Sequence, residues 1–120
     1  MIKTKRVYED PEPDDGLRFL VDRLWPRGIK KEALQMDDWL KELAPSTDLR
    51  KWFHRDTSKW DEFNIRYKEE LEHRREGWEP IIKKADKKDI TLLYASRDTT
   101  RNHALVLKRF LEKKLEDSKI

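Results

Sequence analysis

Residues 90–95 (Ile-Thr-Leu-Leu-Tyr-Ala) constrain the fold more than any other part of this chain. They form a nearly continuous apolar run of strand length, which is typical of a parallel strand covered on both faces. A polar loop follows at 96–101, and a long helix is predicted from Asn102 onward. The apolar stripe of that helix consists of Ala104, Leu107, Leu111 and Leu115. A buried strand, a polar turn and an amphipathic helix together predict an open α/β sheet.

Local patterns predict further elements in the first half of the chain. Residues 2–8 alternate loosely between apolar and polar side chains and predict a first strand, and residues 17–24 predict a second. Between them, residues 9–16 hold two prolines and an Asp-Asp-Gly, which predicts a loop. Residues 30–34 predict a helical turn, whereas residues 34–40 fit a strand and a helix equally well.

The second half of the chain is predicted to be mainly helical. Ser46 is placed to cap a short helix over residues 48–53, and Asp56 or Thr57 to cap a longer one that ends near Arg74. Gly77 is expected to interrupt the helices, and one further short helix follows it. The apolar face of the longer helix consists of Trp60, Phe63, Tyr67 and Leu71, and that of the short one of Trp78, Ile81, Ile82 and Ala85.

The composition is that of one folded domain over residues 1–120. Only 36% of residues are apolar and 44% are charged, but twelve aromatic side chains, five of them Trp, argue against a disordered chain. We therefore predict a single three-layer, Rossmann-like α/β domain with a small, mostly parallel sheet and several helices. Strand order does not follow from the sequence. The connection between the first two strands is too short for a helical crossover, so either that edge is antiparallel or the loop runs across the top of the sheet.

Several protein classes are excluded by what the chain lacks. It has no Cys, and its three histidines show no ligand spacing, so neither thiolate chemistry nor a metal site is predicted. The glycine-rich and nucleophile motifs of common cofactor enzymes and hydrolases are missing, so no cofactor is predicted. No apolar stretch approaches the ~18 residues of a membrane span, and the N-terminus lacks a signal-peptide core. We expect a cytoplasmic protein without a membrane partner.

Two of the predicted strands end in unusually polar segments. Ligands of open α/β sheets bind beyond the carboxyl ends of the strands. The segment after the second strand carries Asp22, Arg23 and Arg27. The segment after residues 90–95 carries Ser96, Arg97, Asp98, Asn102 and His103. If these strands are neighbours, the two segments face each other across a crevice.

The residue types in the two segments suit an anionic ligand. Arginine binds carboxylate or phosphate with a planar fork, and the N–H groups that open a helix favour an anion. A carboxylate or an imidazole beside such a ligand could hold or transfer a proton. The candidates for ligand binding are Arg23, Arg27, Ser96, Arg97 and Asn102, and the candidates for a catalytic role are Asp22, Asp98 and His103.

Most of these assignments have a purely structural alternative. His103, in the first turn of the last helix, is typical of a surface or capping residue. Asp22 with Arg23 or Arg97 could equally form an ion pair that closes the edge of the sheet. Capping of the loop and of the last helix accounts for Asp98 and Asn102, and likewise for Ser96, without any ligand.

Several motifs resemble one known family. The most specific are Val21-Asp-Arg-Leu-Trp-Pro-Arg-Gly28 and Leu43-Ala-Pro-Ser46, and further matches are Arg6-Val-Tyr8, Leu49-Arg-Lys-Trp-Phe53 and Asn102-His-Ala104. Over residues 6–111 the chain resembles the YeaO-like branch of the family called domain of unknown function 488.

The resemblance implies a compact, Rossmann-like α/β domain from bacteria or archaea and no established activity. In the pattern of the wider family, an Asp-Arg pair follows the second strand, and Asp22 and Arg23 match it. The wider family also has Cys-x-Glu and Cys-His-Arg near the last strand and helix. At that place this chain has Tyr94, Ser96, Asp98, Asn102 and His103, with no Cys. The resemblance therefore implies no thiol-dependent activity here.

Three functions remain open on the sequence. The favoured one is a binding protein or enzyme for an anionic or nucleotide-like small molecule, acting at the polar cleft. The second is a nucleic-acid-binding module that stacks bases on Trp25 and Trp52, although the net charge of +3 is low for that class and arginines packed over these rings would explain them as well. The third is a small interaction or regulatory protein with purely structural ion pairs. The sequence decides neither whether the chain is an enzyme nor its oligomeric state.

Overall fold

The computed structural model describes residues 1–119, which form one parallel sheet and four α-helices. The strands are β1 (Ile2–Arg6), β2 (Leu17–Leu20), β3 (Asp38–Trp39) and β4 (Ile90–Tyr94), in the spatial order β1-β4-β2-β3. The helices are α1 (Thr47–Arg55), α2 (Trp60–Glu72), α3 (Arg75–Ala85) and α4 (His103–Asp117). The predicted α/β class and parallel sheet are confirmed. None of the helices in this part of the chain is both long and apolar enough to cross a membrane.

Strand β4 organises the sheet, as its apolar run predicts. It pairs in parallel with β1 on one side and with β2 on the other, and all five of its residues are buried. The helices pack on one face of the sheet, against Phe19, Val21 and Leu92. On the other face, Leu20 and Leu93 are covered by an irregular segment whose apolar side chains are Trp25, Ile29, Leu34, Met36 and Trp39. The third layer of the domain is therefore irregular chain with a single 3₁₀ turn at Lys31–Ala33.

Residues 7–16, here called the strap, connect β1 to β2 without an α-helix. Both strands run parallel to β4, so the β1 edge is not antiparallel, and the strap returns the chain to the start of β2. It is anchored over the sheet face by Lys5, whose ammonium donates to the Asp10 carbonyl (3.1 Å) and to Glu12 Oε1 (2.7 Å). The Thr91 hydroxyl of β4 donates to the Asp15 carbonyl (2.7 Å). Ten residues are long enough to span a five-residue strand even with the 3₁₀ turn at Pro13–Asp15, which makes this connection feasible.

The strap ends in a buried ion pair between Asp15 and Arg18. The Asp15 carboxylate accepts from the Arg18 guanidinium and from Lys5 Nζ (2.9 Å), and the two residues are 2% and 6% exposed. Arg18 Nε also donates to the Gln35 carbonyl (2.6 Å), which ties the irregular layer to β2. Burial acts to raise the pKa of Asp15, but hydrogen bonds from Lys5, the Glu12 N–H and Arg18 outweigh it and lower that pKa.

Most helix boundaries follow the predicted signals. The Ser46 hydroxyl caps α1 by accepting from the Leu49 N–H (3.1 Å), and Asn102 Oδ1 caps α4 by accepting from the Leu105 N–H (3.0 Å). Asp56 caps a 3₁₀ turn that leads into α2. The ambiguous residues 34–40 contain the short strand β3.

Three predicted boundaries are wrong. The first strand ends at Arg6 instead of residue 8, although the Val7 N–H still donates to the Tyr94 carbonyl (2.8 Å). Gly77 lies inside α3 instead of interrupting the helices, because its missing side chain leaves room for Leu43, whose Cδ2 would lie 2.9 Å from a Cβ there. The second strand ends at Leu20 instead of residue 24. The Val21 N–H still donates to the Leu93 carbonyl (3.0 Å), but there the paired strand β4 comes to its end and the chain turns away.

Candidate functional site

The parallel register of β2 and β4 brings the two polar segments together. Leu20 is paired with Leu93, so β2 and β4 end at the same edge of the sheet. An open cleft of about 860 Å³ lies there. Seven of the eight sequence-predicted site residues line it, namely Asp22, Arg23, Arg27, Ser96, Arg97, Asn102 and His103. The spatial assumption behind the predicted site is therefore correct.

Asp98 is the predicted residue that does not line the cleft. Its Oδ1 accepts from the backbone N–H groups of Thr100 and Arg101 (2.9 Å each), and these bonds lower the pKa of Asp98. The carboxylate thus shapes the loop before α4, which agrees with the capping alternative.

Asp22 and His103 lie side by side in the lining of the cleft. Asp22 Oδ2 accepts from the Ala95 N–H (3.0 Å), which joins the end of β2 to the end of β4. His103 Nε2 lies 2.9 Å from Asp22 Oδ1 and 3.0 Å from the Val21 carbonyl. Only the carbonyl is aligned for a hydrogen bond, and Asp22 Oδ1 is buried with no such bond from any residue of 1–119. Because both neighbours of Nε2 are acceptors, this nitrogen carries a proton, which fixes the tautomer of a neutral ring.

The predicted ion pair of Asp22 with Arg23 or Arg97 is not the arrangement found. Arg23 turns toward the Leu-Ala-Pro-Ser segment, where its Nε donates to the Pro45 carbonyl (2.9 Å) and its guanidinium also reaches the Ala44 carbonyl (3.3 Å). Arg6, at the end of β1, binds the carbonyls of Ser96 (2.9 Å) and Ala95 (3.2 Å) in the same manner. Carbonyl oxygens hold these two cations in place without neutralising them.

Four more arginines line the cleft. Arg27, Arg97 and Arg101 are exposed, and their side chains make no hydrogen bond or ion pair within residues 1–119. Arg50, on α1, is half-buried, and its Nε is buried without a hydrogen-bond partner in the same part of the chain. The arginines that do form ion pairs there are Arg18, Arg66, Arg74 and Arg75, all outside the cleft. The four guanidinium groups are therefore available to a ligand.

The charge of the cleft lining is one-sided. Six of the twelve arginines line it, and among residues 1–119 none of the sixteen lysines does. Asp22 is the one carboxylate of the 25 acidic residues that lines it. We call this feature the arginine cleft; its arginines are Arg6, Arg23, Arg27, Arg50, Arg97 and Arg101.

Two predicted ligand-binding residues are already engaged in local structure. Asn102 uses its Oδ1 as the α4 cap, and its Nδ2 donates to the Asp98 carbonyl (2.9 Å). The Ser96 hydroxyl accepts a long hydrogen bond from the Asp98 N–H (3.3 Å). Both residues border the cleft, but their bonds shape its loop.

Sequence reasoning missed three of the cleft arginines. Arg6 ends a parallel strand and Arg101 precedes the α4 cap, so the rule that placed the other residues at this edge applied to both. Arg50 lies on the first turns of α1, and no local signal points from there to the cleft. Tyr8, whose hydroxyl donates to the Arg27 carbonyl (2.9 Å), was also missed.

Trp25 and Trp52 are not open stacking platforms. Trp25 packs edge-on against Trp39, with ring centroids 5.4 Å apart, and its indole N–H donates to the Ile29 carbonyl. The Trp52 ring is covered by Arg66, whose guanidinium carbon lies 4.4 Å from the ring centroid. The alternative of rings packed within the fold or under an arginine is the one found.

The one acidic group whose carboxylates lie close enough to share a cation, among residues 1–119, is on the strap, away from the cleft. It consists of Glu12, Asp14 and Asp15. The Lys5 ammonium binds both Glu12 and Asp15, while Lys3 pairs with Asp14 and Arg18 with Asp15, so these three cations balance the charge of the group.

Comparison with known proteins relates the whole chain to one family. Residues 1–119 match the family model described as "Inactive DUF488-N3 subclade". The chain is 50% identical over 111 residues to the uncharacterized protein YeaO of Escherichia coli K12, which covers 92% of this chain and 96% of that protein. It is 43% identical over 110 residues to the uncharacterized protein Rv3073c of Mycobacterium tuberculosis H37Rv, with 92% of each chain covered. No solved structure matches the chain.

Proposed function

The chain belongs to the inactive DUF488-N3 subclade, and from this premise we propose that it is a binding protein for an anionic small molecule, held in the arginine cleft. The description of the subclade as inactive favours binding over catalysis. The hydrogen bonds of Asp22 and His103, two of the catalytic candidates, agree with that preference. Asp22 accepts from the Ala95 N–H and so joins the ends of β2 and β4. His103 directs its Nε2 proton to the Val21 carbonyl, which ties the start of α4 to the end of β2.

The observation that supports the proposal is the selective placement of arginine. A surface that merely needed positive charge for solubility would use lysine and arginine alike, and lysine is the commoner residue in this chain. The planar guanidinium group matches the two oxygens of a carboxylate or phosphate, which a lysine ammonium does not. Half of the arginines and no lysine of residues 1–119 line the cleft, so its chemistry suits an oxyanion.

The cleft is also prepared for a ligand. Arg6 and Arg23 are fixed by backbone carbonyls, so their orientation does not have to be ordered on binding. Arg27, Arg50, Arg97 and Arg101 bring positive charge without a carboxylate partner, and such a cluster repels itself until an anion enters. The start of α4 adjoins the same space and adds a smaller favourable contribution to the binding of negative charge.

Inorganic pyrophosphate is a suitable first probe, because it is compact, multiply charged and free of other groups. We expect titration calorimetry to detect pyrophosphate binding at low salt, with an affinity that falls as salt is added. Replacing both Arg97 and Arg101 by Gln should weaken binding about 100-fold or more, since each hydrogen bond to a charged group contributes roughly 1.5–3 kcal/mol.

Arg109→Gln is the matched control, because Arg109 is exposed on α4 and does not line the cleft. This variant should bind pyrophosphate like the wild type. The proposal fails if the wild type does not bind, or if the control loses as much affinity as the double variant. Circular dichroism of all three proteins separates loss of binding from loss of fold.

A further inference from the structure

We propose that the ligand is a nucleoside diphosphate or a larger phosphorylated nucleotide, with its base on Tyr8 and its phosphates among the arginines. This inference rests on the proposed anion-binding function and specifies the class of molecule. Two features support it: an anchored aromatic ring at the side of the cleft, and the distribution of the available guanidinium groups.

Tyr8 offers a fixed aromatic surface beside the arginines. It lies two residues after the end of β1 and remains 47% exposed, although tyrosine normally buries much of its ring. Its hydroxyl donates to the Arg27 carbonyl (2.9 Å), and the Arg6 guanidinium lies 4.9 Å from the ring centroid. The ring is thus held at its hydroxyl end and supported by a cation, yet half of it faces solvent. A planar base stacking there would cover that exposed surface.

The remaining exposed apolar side chains support the same location. Among residues 1–119, the large apolar residues with high exposure are Met1, Tyr8, Leu24 and Ile65. Single exposed apolar residues are normal on a surface. Here, Tyr8 and Leu24 both line the arginine cleft, although they come from different segments. A ligand that is purely anionic would leave both exposed, whereas a base or sugar would cover them.

The available guanidinium groups favour more than one phosphoryl group. Arg27 follows β2, Arg50 lies on α1, and Arg97 and Arg101 belong to the loop before α4, so the positive charge comes from three walls of the cleft. A single phosphate engages one wall well, because a guanidinium fork binds two of its oxygens. A chain of phosphates can reach several walls. The volume of about 860 Å³ falls in the usual range of pockets for molecules of nucleotide size.

The test compares ADP, GDP, CDP and UDP with pyrophosphate by calorimetry, using the wild type and Tyr8→Ala. In the wild type, at least one nucleoside diphosphate should bind about fivefold or more tightly than pyrophosphate, since stacking a base on an aromatic ring contributes roughly 1–3 kcal/mol. Tyr8→Ala should lose that advantage, measured as the ratio of nucleoside diphosphate affinity to pyrophosphate affinity in the same protein. Loss of the hydroxyl bond to the Arg27 carbonyl affects both ligands, so it does not change this ratio. Ile65→Ala, which removes an exposed apolar residue on α2 away from the cleft, should behave as wild type.

The possible outcomes distinguish failure of the nucleotide assignment from failure of the proposed anion-binding function. Pyrophosphate binding that depends on Arg97 and Arg101, with no nucleotide bound more tightly, overturns the nucleotide assignment and leaves anion binding intact. A nucleotide preference that survives Tyr8→Ala unchanged overturns the stacking site. Absence of binding by all five probes overturns both proposals. If a short single-stranded oligonucleotide binds and no nucleoside diphosphate does, the ligand is nucleic acid and the small-molecule assignment is wrong.

Discussion

Replacing Gly16 by Ala is expected to lower the free energy of unfolding by about 3–6 kcal/mol, enough to prevent folding if the domain is marginally stable. Gly16 ends the strap with φ +66° and ψ −134°, a combination that is open to Gly and strongly disfavoured for L-residues. A Cβ there would also lie 2.1 Å from the Asp89 carbonyl oxygen. That oxygen accepts from the Leu17 N–H (2.9 Å), so relieving the clash would disturb the first pairing of β2 with β4.

Gly28→Ala is the matched control for this prediction. Gly28 also has a positive φ, +77°, but no atom lies within 4 Å of a Cβ placed there. In this variant the free energy of unfolding should fall by about 1–2 kcal/mol, which is the cost of placing Ala in the left-handed conformation. Soluble yield and urea unfolding of both variants provide the comparison. Equal losses for the two variants would mean that the close approach of Gly16 to Asp89 is not what makes a side chain costly there.

Replacing Asp15 by Asn is expected to cost about 3–5 kcal/mol, because the Arg18 guanidinium would then be buried without its carboxylate. The same change weakens the bond of Lys5 to the strap. Asp14→Asn is the matched control, since Asp14 is exposed and its ion pair with Lys3 spans 3.5 Å. An exposed pair of this kind contributes no more than about 1 kcal/mol. If urea unfolding shows no larger loss for Asp15→Asn than for Asp14→Asn, the buried pair does not stabilise the domain.

The pH dependence of stability supplies a second measurement on Asp15. The pKa of this group is lower in the folded chain than in the unfolded one. Its contribution is therefore complete above the unfolded-state pKa, near 3.9, and is lost as the pH falls through the lower folded-state value. The wild type should lose stability more steeply below about pH 4 than Asp15→Asn does. Parallel curves for the two proteins in that range would contradict the assignment.

Local patterns in the sequence were sufficient to predict the strands and helix caps that position the cleft. The apolar run of β4 needs no tertiary information, because a strand buried on both faces must be apolar along its length. The caps Ser46 and Asn102 act within one helical turn, so they too are visible locally. Given two neighbouring parallel strands, the general rule for open α/β sheets placed Asp22 and His103 in one cleft.

The contacts that tertiary structure creates could not be predicted in this way. The sequence left open an ion pair of Asp22 with Arg23 or Arg97, but in the folded chain Arg23 binds the carbonyls of Ala44 and Pro45 instead. Arg50 reaches the cleft because α1 packs beside it, which depends on how the helices stack. Gly77 is tolerated within α3 because Leu43 packs against it. In each case, a distant segment determines the role of a residue whose neighbours in sequence say nothing about it.

The stability of the strap and the chemistry of the cleft are connected through β2. Gly16 and Asp15 fix where β2 enters the sheet, and its register with β4 then sets Asp22 against the Ala95 N–H. A strand shifted by one residue would turn Asp22 to the other face of the sheet. The strap is therefore part of what builds the arginine cleft, although it lies away from the ligand.

A crystal structure of the wild-type chain soaked in tungstate, with the anomalous signal of tungsten used to locate the oxyanion, tests anion binding in the cleft most directly. We predict a strong peak within contact distance of at least two of Arg27, Arg50, Arg97 and Arg101. Occupied tungstate sites elsewhere on the protein, with the cleft open to solvent and holding none, would contradict this result.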